Sequence, residues 1–121
     1  NTIDKLGQIV SQTGAVAIAR PVNDTIKKVN NFNSSNYEKP YKTESIDRSK
    51  LWIMETPQVS RKDWLLEGIQ LASQKKMEAT DEISLLELLG KKVSFLTPSY
   101  PNPKLTSVAD IPYFKFLIQK K

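Results

Sequence analysis

A chain of 121 residues with no histidine and no cysteine has to do its chemistry with carboxylates, lysines and hydroxyls. The missing histidine removes the commonest general base and the imidazole metal ligand. The missing cysteine removes the thiolate nucleophile and any disulfide framework. Oxygen ligands remain, and they gather in two places. Glu78, Asp81 and Glu82 surround the junction between two expected helices, where a hard cation such as Mg²⁺ would find oxygen donors. Glu55, Asp63 and Glu67 form a looser set, with Asp63 and Glu67 one helical turn apart. Both sets read more simply as helix-end decoration and a solvated acidic face. No catalytic residue, metal site or cofactor is therefore assigned.

The phosphate-binding loops that mark nucleotide enzymes are absent as well. Gly7, Gly14, Gly68 and Gly90 fall at neither G-x-G-x-x-G nor G-x-x-x-x-G-K spacing. Gly90-Lys91-Lys92 fits a helix C-terminus, the wrong end for an anion. No G-x-S-x-G elbow occurs, and no histidine could activate a serine.

The basic residues suggest a binding surface. The chain carries 18 Lys+Arg against 13 Asp+Glu, and only Arg20, Arg48 and Arg61 are arginine. Residues 1–50 hold 8 basic and 5 acidic groups, 51–90 hold 4 and 7, and 91–121 hold 6 and 1. Lysines of the last third interleave with Phe95, Tyr100, Tyr113, Phe114 and Phe116. A sheet with exposed aromatics and lysines can hold single-stranded nucleic acid, with Lys92 and Lys115 on phosphate and Tyr113 stacked on a base. A lysine-dominated excess also suits a solvated surface, because lysine is a point charge without arginine's bidentate fork.

The elements that would position these groups are unevenly legible. Thr2 can cap a short helix with Leu6, Ile9 and Val10 on one face, and Ala15 to Ala19 can form a short strand. Val22, Ile26, Val29 and Phe32 recur at helical spacing and predict a small amphipathic helix. Residues 33–50 contain one aliphatic side chain, Ile46, and read as an extended arm. Leu51 to Glu55 predicts a strand ended by Thr56-Pro57. Ser60 to Asp63 has the form of a capping box opening a helix to about Met77. Thr80 as cap, the leucines Leu85, Leu86, Leu88 and Leu89, and Gly90 as terminator predict a second helix. Lys92 to Leu96 and Ile111 to Ile118 read as strands, the latter placing Phe114 and Phe116 on one face.

The expected fold class is α+β, a small antiparallel sheet with two helices in β-α-α-β-β order, preceded by an extended N-terminal arm. Residues 1–50 would be the arm and 51–121 the compact domain. The expected core is Trp52, Leu65, Ile69, Leu85, Leu89, Phe95, Phe114 and Phe116. With no catalytic inventory and a long polar arm, the expected function is a non-catalytic structural or protein-interaction subunit of a larger assembly, such as a phage virion or tail component. The single-stranded nucleic-acid module is the second reading. The expected partners are other protein subunits, copies of the same chain among them. Val22, Ile26, Val29, Phe32, Tyr37, Tyr41 and Ile46 would be the contact residues. No apolar run spans a membrane, and the lack of cysteine favours a reducing cytoplasm or a virion interior over secretion.

Overall fold

A computed structural model of the chain describes residues 1–32 and 39–119. Among the described residues nine regular elements follow one another: α1 (Thr2–Thr13), β1 (Ala15–Pro21), β2 (Lys27–Val29), β3 (Thr43–Ser45), β4 (Trp52–Ser60), α2 (Lys62–Lys75), α3 (Glu82–Leu88), β5 (Ser94–Leu96) and α4 (Ile111–Gln119). None of the described helices is long and apolar enough to cross a membrane.

The central strand is β1. It pairs antiparallel with β4 on one side and parallel with β5 on the other, so the sheet order is β4-β1-β5. Its sequence Ala15-Val16-Ala17-Ile18-Ala19 is apolar at every position, as a strand covered on both faces must be. These five residues are at most 2% exposed. Val16 and Ile18 point to one face, where they meet Leu6, Ile9 and Val10 of α1 with Val59 and Leu96. Ala15 and Ala17 point to the other, against Ile83 and Leu86 of α3, with Met54, Trp64 and Val93 around them. The result is a mixed sheet between helical layers, an α/β arrangement.

This overturns the expected antiparallel α+β sheet. The centre of the molecule lies within residues 1–50, which the sequence had assigned to an arm. Of the expected core, Trp52, Ile69, Phe95 and Phe116 are exposed, and Leu65, Leu85, Leu89 and Phe114 are half-buried. The helices also approach closely enough to require glycine at two contacts. Gly68 sits on α2 where an added Cβ would come within 2.9 Å of the Leu85 carbonyl oxygen. Gly14 ends α1 at a φ of 86° beneath the Trp64 ring, which lies where a Cβ would go.

Three further expectations change locally. Residues 22–32 do not form a helix: β2 pairs with β3 in a two-stranded hairpin, Lys27 opposite Ser45 and Val29 opposite Thr43. The cap of α2 is Arg61, without a side-chain cap bond, and Asp81 rather than Thr80 caps α3. Residues 111–118 are a helix, not a strand. The Asp110 carboxylate accepts hydrogen bonds from the Thr106 and Ser107 amides and closes a capping box with Ser107. That turn launches the helix, and Pro112 then falls in the first turn, where a missing N–H costs nothing. Phe114 and Leu117, three residues apart, become its half-buried pair.

Candidate functional site

A cleft of about 570 Å³ opens where three segments meet: residues 53–58 of β4, the start of α3 at residues 80–82, and the loop at residues 102–104. Each wall has a local cause. In β4 the register slips: Ala17 faces Gln58 but Ala19 faces Met54, so Glu55, Thr56 and Pro57 stand opposite Ile18 alone. The surplus residues leave the ladder, and Glu55 and Thr56 among them line the first wall beside Ile53, Met54 and Gln58. The second wall is a helix N-terminus. The Asp81 carboxylate accepts from the Ser84 amide at 2.9 Å, the Ser84 hydroxyl at 2.6 Å and Gln58 Nε2 at 3.1 Å. Burial works against this carboxylate, but the Ser84 hydroxyl, the Ser84 amide and Gln58 together outweigh it and hold its pKa below the ordinary range. Gln58 Oε1 in turn accepts from the Ile83 amide at 3.2 Å, tying β4 to α3. Thr80 is thereby fixed at the cleft rim, its hydroxyl 3.2 Å from that of Ser84.

The third wall is the irregular segment between β5 and α4. Asn102 Nδ2 donates to Glu55 Oε2 at 2.9 Å and to the Thr56 carbonyl at 2.8 Å. Glu55 Oε1 accepts from Arg20 Nε at 2.7 Å, and Arg20 Nη2 donates to the Tyr100 carbonyl at 2.6 Å. Lys104 follows two residues later and lines the cleft.

The charges of the cleft are largely spent. Glu55 is paired with Arg20, and Asp81 is satisfied by its helix. Among the described residues no ion pair engages Lys104, which lines the cleft together with Thr56, Thr80 and Glu82. A cation beside hydroxyls, with Glu82 also lining the cleft, suits an anion that carries hydrogen-bonding groups.

The residues singled out in the sequence lie elsewhere. Val22, Ile26, Val29, Phe32, Tyr41 and Ile46 belong to the β2–β3 hairpin and its stem: the Ile46 amide donates to the Ile26 carbonyl at 3.1 Å, and the Phe32 and Tyr41 rings lie 5.6 Å apart. Tyr37 falls outside the described residues. Lys92 precedes β5, whereas Tyr113 and Lys115 lie on α4, so the basic aromatic sheet imagined for nucleic acid does not exist. Of the acidic sets, Asp81, Glu82 and Glu55 do reach the cleft, while Asp63 pairs with Arg61 at 2.8 Å on the surface. Thr56, Thr80, Asn102 and Lys104 were missed as a group. In the sequence Thr80 and Thr56-Pro57 serve as punctuation, and Lys104 stands among 15 lysines with no local signal to distinguish it.

The sheet order and the helices on both faces define a Rossmann-like α/β fold with a mixed sheet, the fold of the nucleotidyltransferase from Thermus thermophilus whose crystal structure is that of a 2-C-methyl-D-erythritol 4-phosphate cytidylyltransferase. That structure superposes with a TM-score of 0.78 at 22% identity, over 97% of this chain and 54% of that one. A second solved structure, a 4-diphosphocytidyl-2C-methyl-D-erythritol synthase, gives a TM-score of 0.73 at 26% identity over 96% of this chain and 49% of that one. The family model for IspD, 2-C-methyl-D-erythritol 4-phosphate cytidylyltransferase, matches residues 1–120, and the chain belongs to that family. The Desulforamulus reducens protein of the same description is 38% identical over 100 residues, 83% of this chain and 40% of the relative. The chain thus spans somewhat less than half the length of the curated relatives it matches. The expectation of a non-catalytic structural subunit or virion component is overturned by this membership: the family is one of enzymes.

Proposed function

We propose that the chain supplies the acceptor-binding part of a 2-C-methyl-D-erythritol 4-phosphate cytidylyltransferase, and that the cleft between β4, α3 and the 97–107 loop receives the polyol phosphate. The observation that carries this reading is Lys104, a cation without an ion pair among the described residues, set in a cleft with Thr56 and Thr80.

The relatives' names define the chemistry. A cytidylyl group is transferred to the 4-phosphate, giving a 4-diphosphocytidyl product. An oxygen of the acceptor phosphate forms a new bond to the cytidylyl phosphorus. The bond from that phosphorus to its leaving group breaks, and the leaving group takes the electron pair. The attacking phosphate is an anion that must approach a second phosphorylated group, so its charge has to be balanced and its lone pair aimed. Lys104 provides the balancing charge. The hydroxyls of Thr56 and Thr80 hydrogen-bond the phosphate and the polyol, and the Glu82 carboxylate accepts from polyol hydroxyls. Asp81 stays ionised as the helix cap and holds Thr80 in place. The four glycines offer no cradle for a nucleotide's phosphates, which also favours the acceptor side of the reaction for this chain.

The test is Lys104→Gln in the full-length protein. Loss of one charge-assisted phosphate contact should lower kcat/KM for the polyol phosphate about 10²-fold, with the KM for the cytidine nucleotide unchanged. An unchanged kcat/KM would remove Lys104 from the site and the cleft from the reaction.

A further inference from the structure

Lys104 lies in a segment, residues 97–107, that has no helix or strand of its own, and it lines the same cleft as Thr56. The segment is held by side chains. The Thr97 hydroxyl donates to the Ala19 carbonyl at 2.8 Å, and the Tyr100 hydroxyl is hydrogen-bonded to Thr2 Oγ1 on α1. Closer to Lys104 the tethers converge on one carboxylate. Glu55 accepts from Arg20 on one oxygen and from Asn102 on the other, and its side chain is only 16% exposed. Arg20 reaches on to the Tyr100 carbonyl, and Asn102 spends its second amide hydrogen on the Thr56 carbonyl.

We propose that Glu55 and Asn102 form a positioning clamp that sets the distance between Lys104 and Thr56 and so fixes where the acceptor's phosphate is held. The proposal rests on the reading of the cleft as the acceptor site. The clamp joins the two walls directly: the Asn102 amide bridges the side chain and the backbone of adjacent residues in the irregular part of β4, two positions before the lysine. Arg20, on the neighbouring strand, holds the Glu55 carboxylate in the orientation Asn102 needs. Neither Glu55 nor Asn102 has to touch the reacting atoms. Their effect passes through Lys104.

The chemistry of the pair makes the clamp sensitive to one atom. Glu55 accepts on both oxygens, and both of the groups bonded to it can only donate. In Glu55→Gln one acceptor becomes an NH₂ group. Whichever way the amide turns, a donor then faces either Arg20 Nε or Asn102 Nδ2, and one of the two tethers is lost. Asn102→Ala removes both bonds to β4 and leaves Glu55 paired with Arg20. It lies in a loop outside the sheet core, so it reports on the clamp even if Glu55→Gln does not fold.

The experiment compares steady-state kinetics of Glu55→Gln, Asn102→Ala, the double variant and Lys104→Gln in the full-length protein, varying 2-C-methyl-D-erythritol 4-phosphate and the cytidine nucleotide separately. The clamp predicts a KM for the polyol phosphate raised about tenfold in Asn102→Ala, with kcat within about twofold and the nucleotide KM unchanged. Glu55→Gln should follow it, and the double variant should be no worse than the more affected single variant, because both break one unit. A wild-type polyol phosphate KM in Asn102→Ala, while Lys104→Gln loses acceptor binding, would overturn the clamp and leave the acceptor site standing. Fully additive effects would overturn it too, by showing two independent contacts. A Lys104→Gln protein with unchanged kinetics would instead overturn the acceptor site itself.

Discussion

Ala15 to Ala19 and Ile111 to Ile118 are both strongly apolar stretches of the chain, yet one is sealed and the other is open. The first is at most 2% exposed throughout, while α4 contains no buried residue, and Tyr113 and Phe116 on it are nearly half exposed. Side-chain size would suggest the reverse, since aromatics bury more area than alanine. The difference lies in what surrounds each stretch. The first has a strand on either side and a helix layer above and below, and small side chains are what allow four elements to converge. The α4 helix follows a capped turn and packs chiefly against that turn. Apolar content therefore marks where burial can occur, and topology decides where it does.

The largest effect that would test this contrast is on stability. Leu86, fully buried against Ala15 and Ala17, should cost about 2–5 kcal/mol when changed to Ala, and Phe116→Ala only about 0.5 kcal/mol. Chemical denaturation of the two variants checks the ranking. A Phe116→Ala loss equal to that of Leu86→Ala would show that α4 belongs to the core after all.

A smaller effect should appear in acid, at the entrance to α4 and not around β1. The Thr106 and Ser107 amides, followed by the Thr106 hydroxyl, hold the Asp110 carboxyl at about 2, below its ordinary 3.8. A depressed folded value means that the turn's contribution is intact above the ordinary pKa and is lost as pH falls through the folded one. Amide NMR signals of Thr106 and Ser107 should titrate with a midpoint near pH 2, and Asp110→Asn should abolish the transition. A midpoint near 3.8 would mean that the turn does not hold Asp110.

The same contrast explains what the sequence revealed. Helices α2 and α3 were legible within a few residues, because leucine spacing and end signals are local. The α1 helix and β1 were visible as candidates, but nothing local said that five apolar residues form the centre of a sheet whose other strands lie more than 30 positions later. Alternation misled at 111–118, where the Ser107–Asp110 capping box, itself readable, outweighs a period-2 pattern. The hairpin was hidden because Val22, Ile26 and Val29 fit a helical period by chance while their partners lie beyond a polar connection. The cleft was the least legible feature. Its residues come from three separate segments, and each had a sufficient local explanation: Thr56-Pro57 as a strand end, Thr80 and Asp81 as a helix start, Lys104 as surface charge. Only the register slip in β4 and the Asn102 bonds bring them together.

The central claim, that the acceptor phosphate is held between β4, α3 and the 97–107 loop, is tested most directly by titrating isotopically labelled full-length protein with 2-C-methyl-D-erythritol 4-phosphate and following its NMR signals residue by residue. The account predicts saturable shifts concentrated at Thr56, Thr80 and Lys104, with Tyr113 and Lys115 on α4 and Val29 and Tyr41 in the hairpin unmoved. Shifts centred on Tyr113 and Lys115, with the three cleft residues silent, would contradict it.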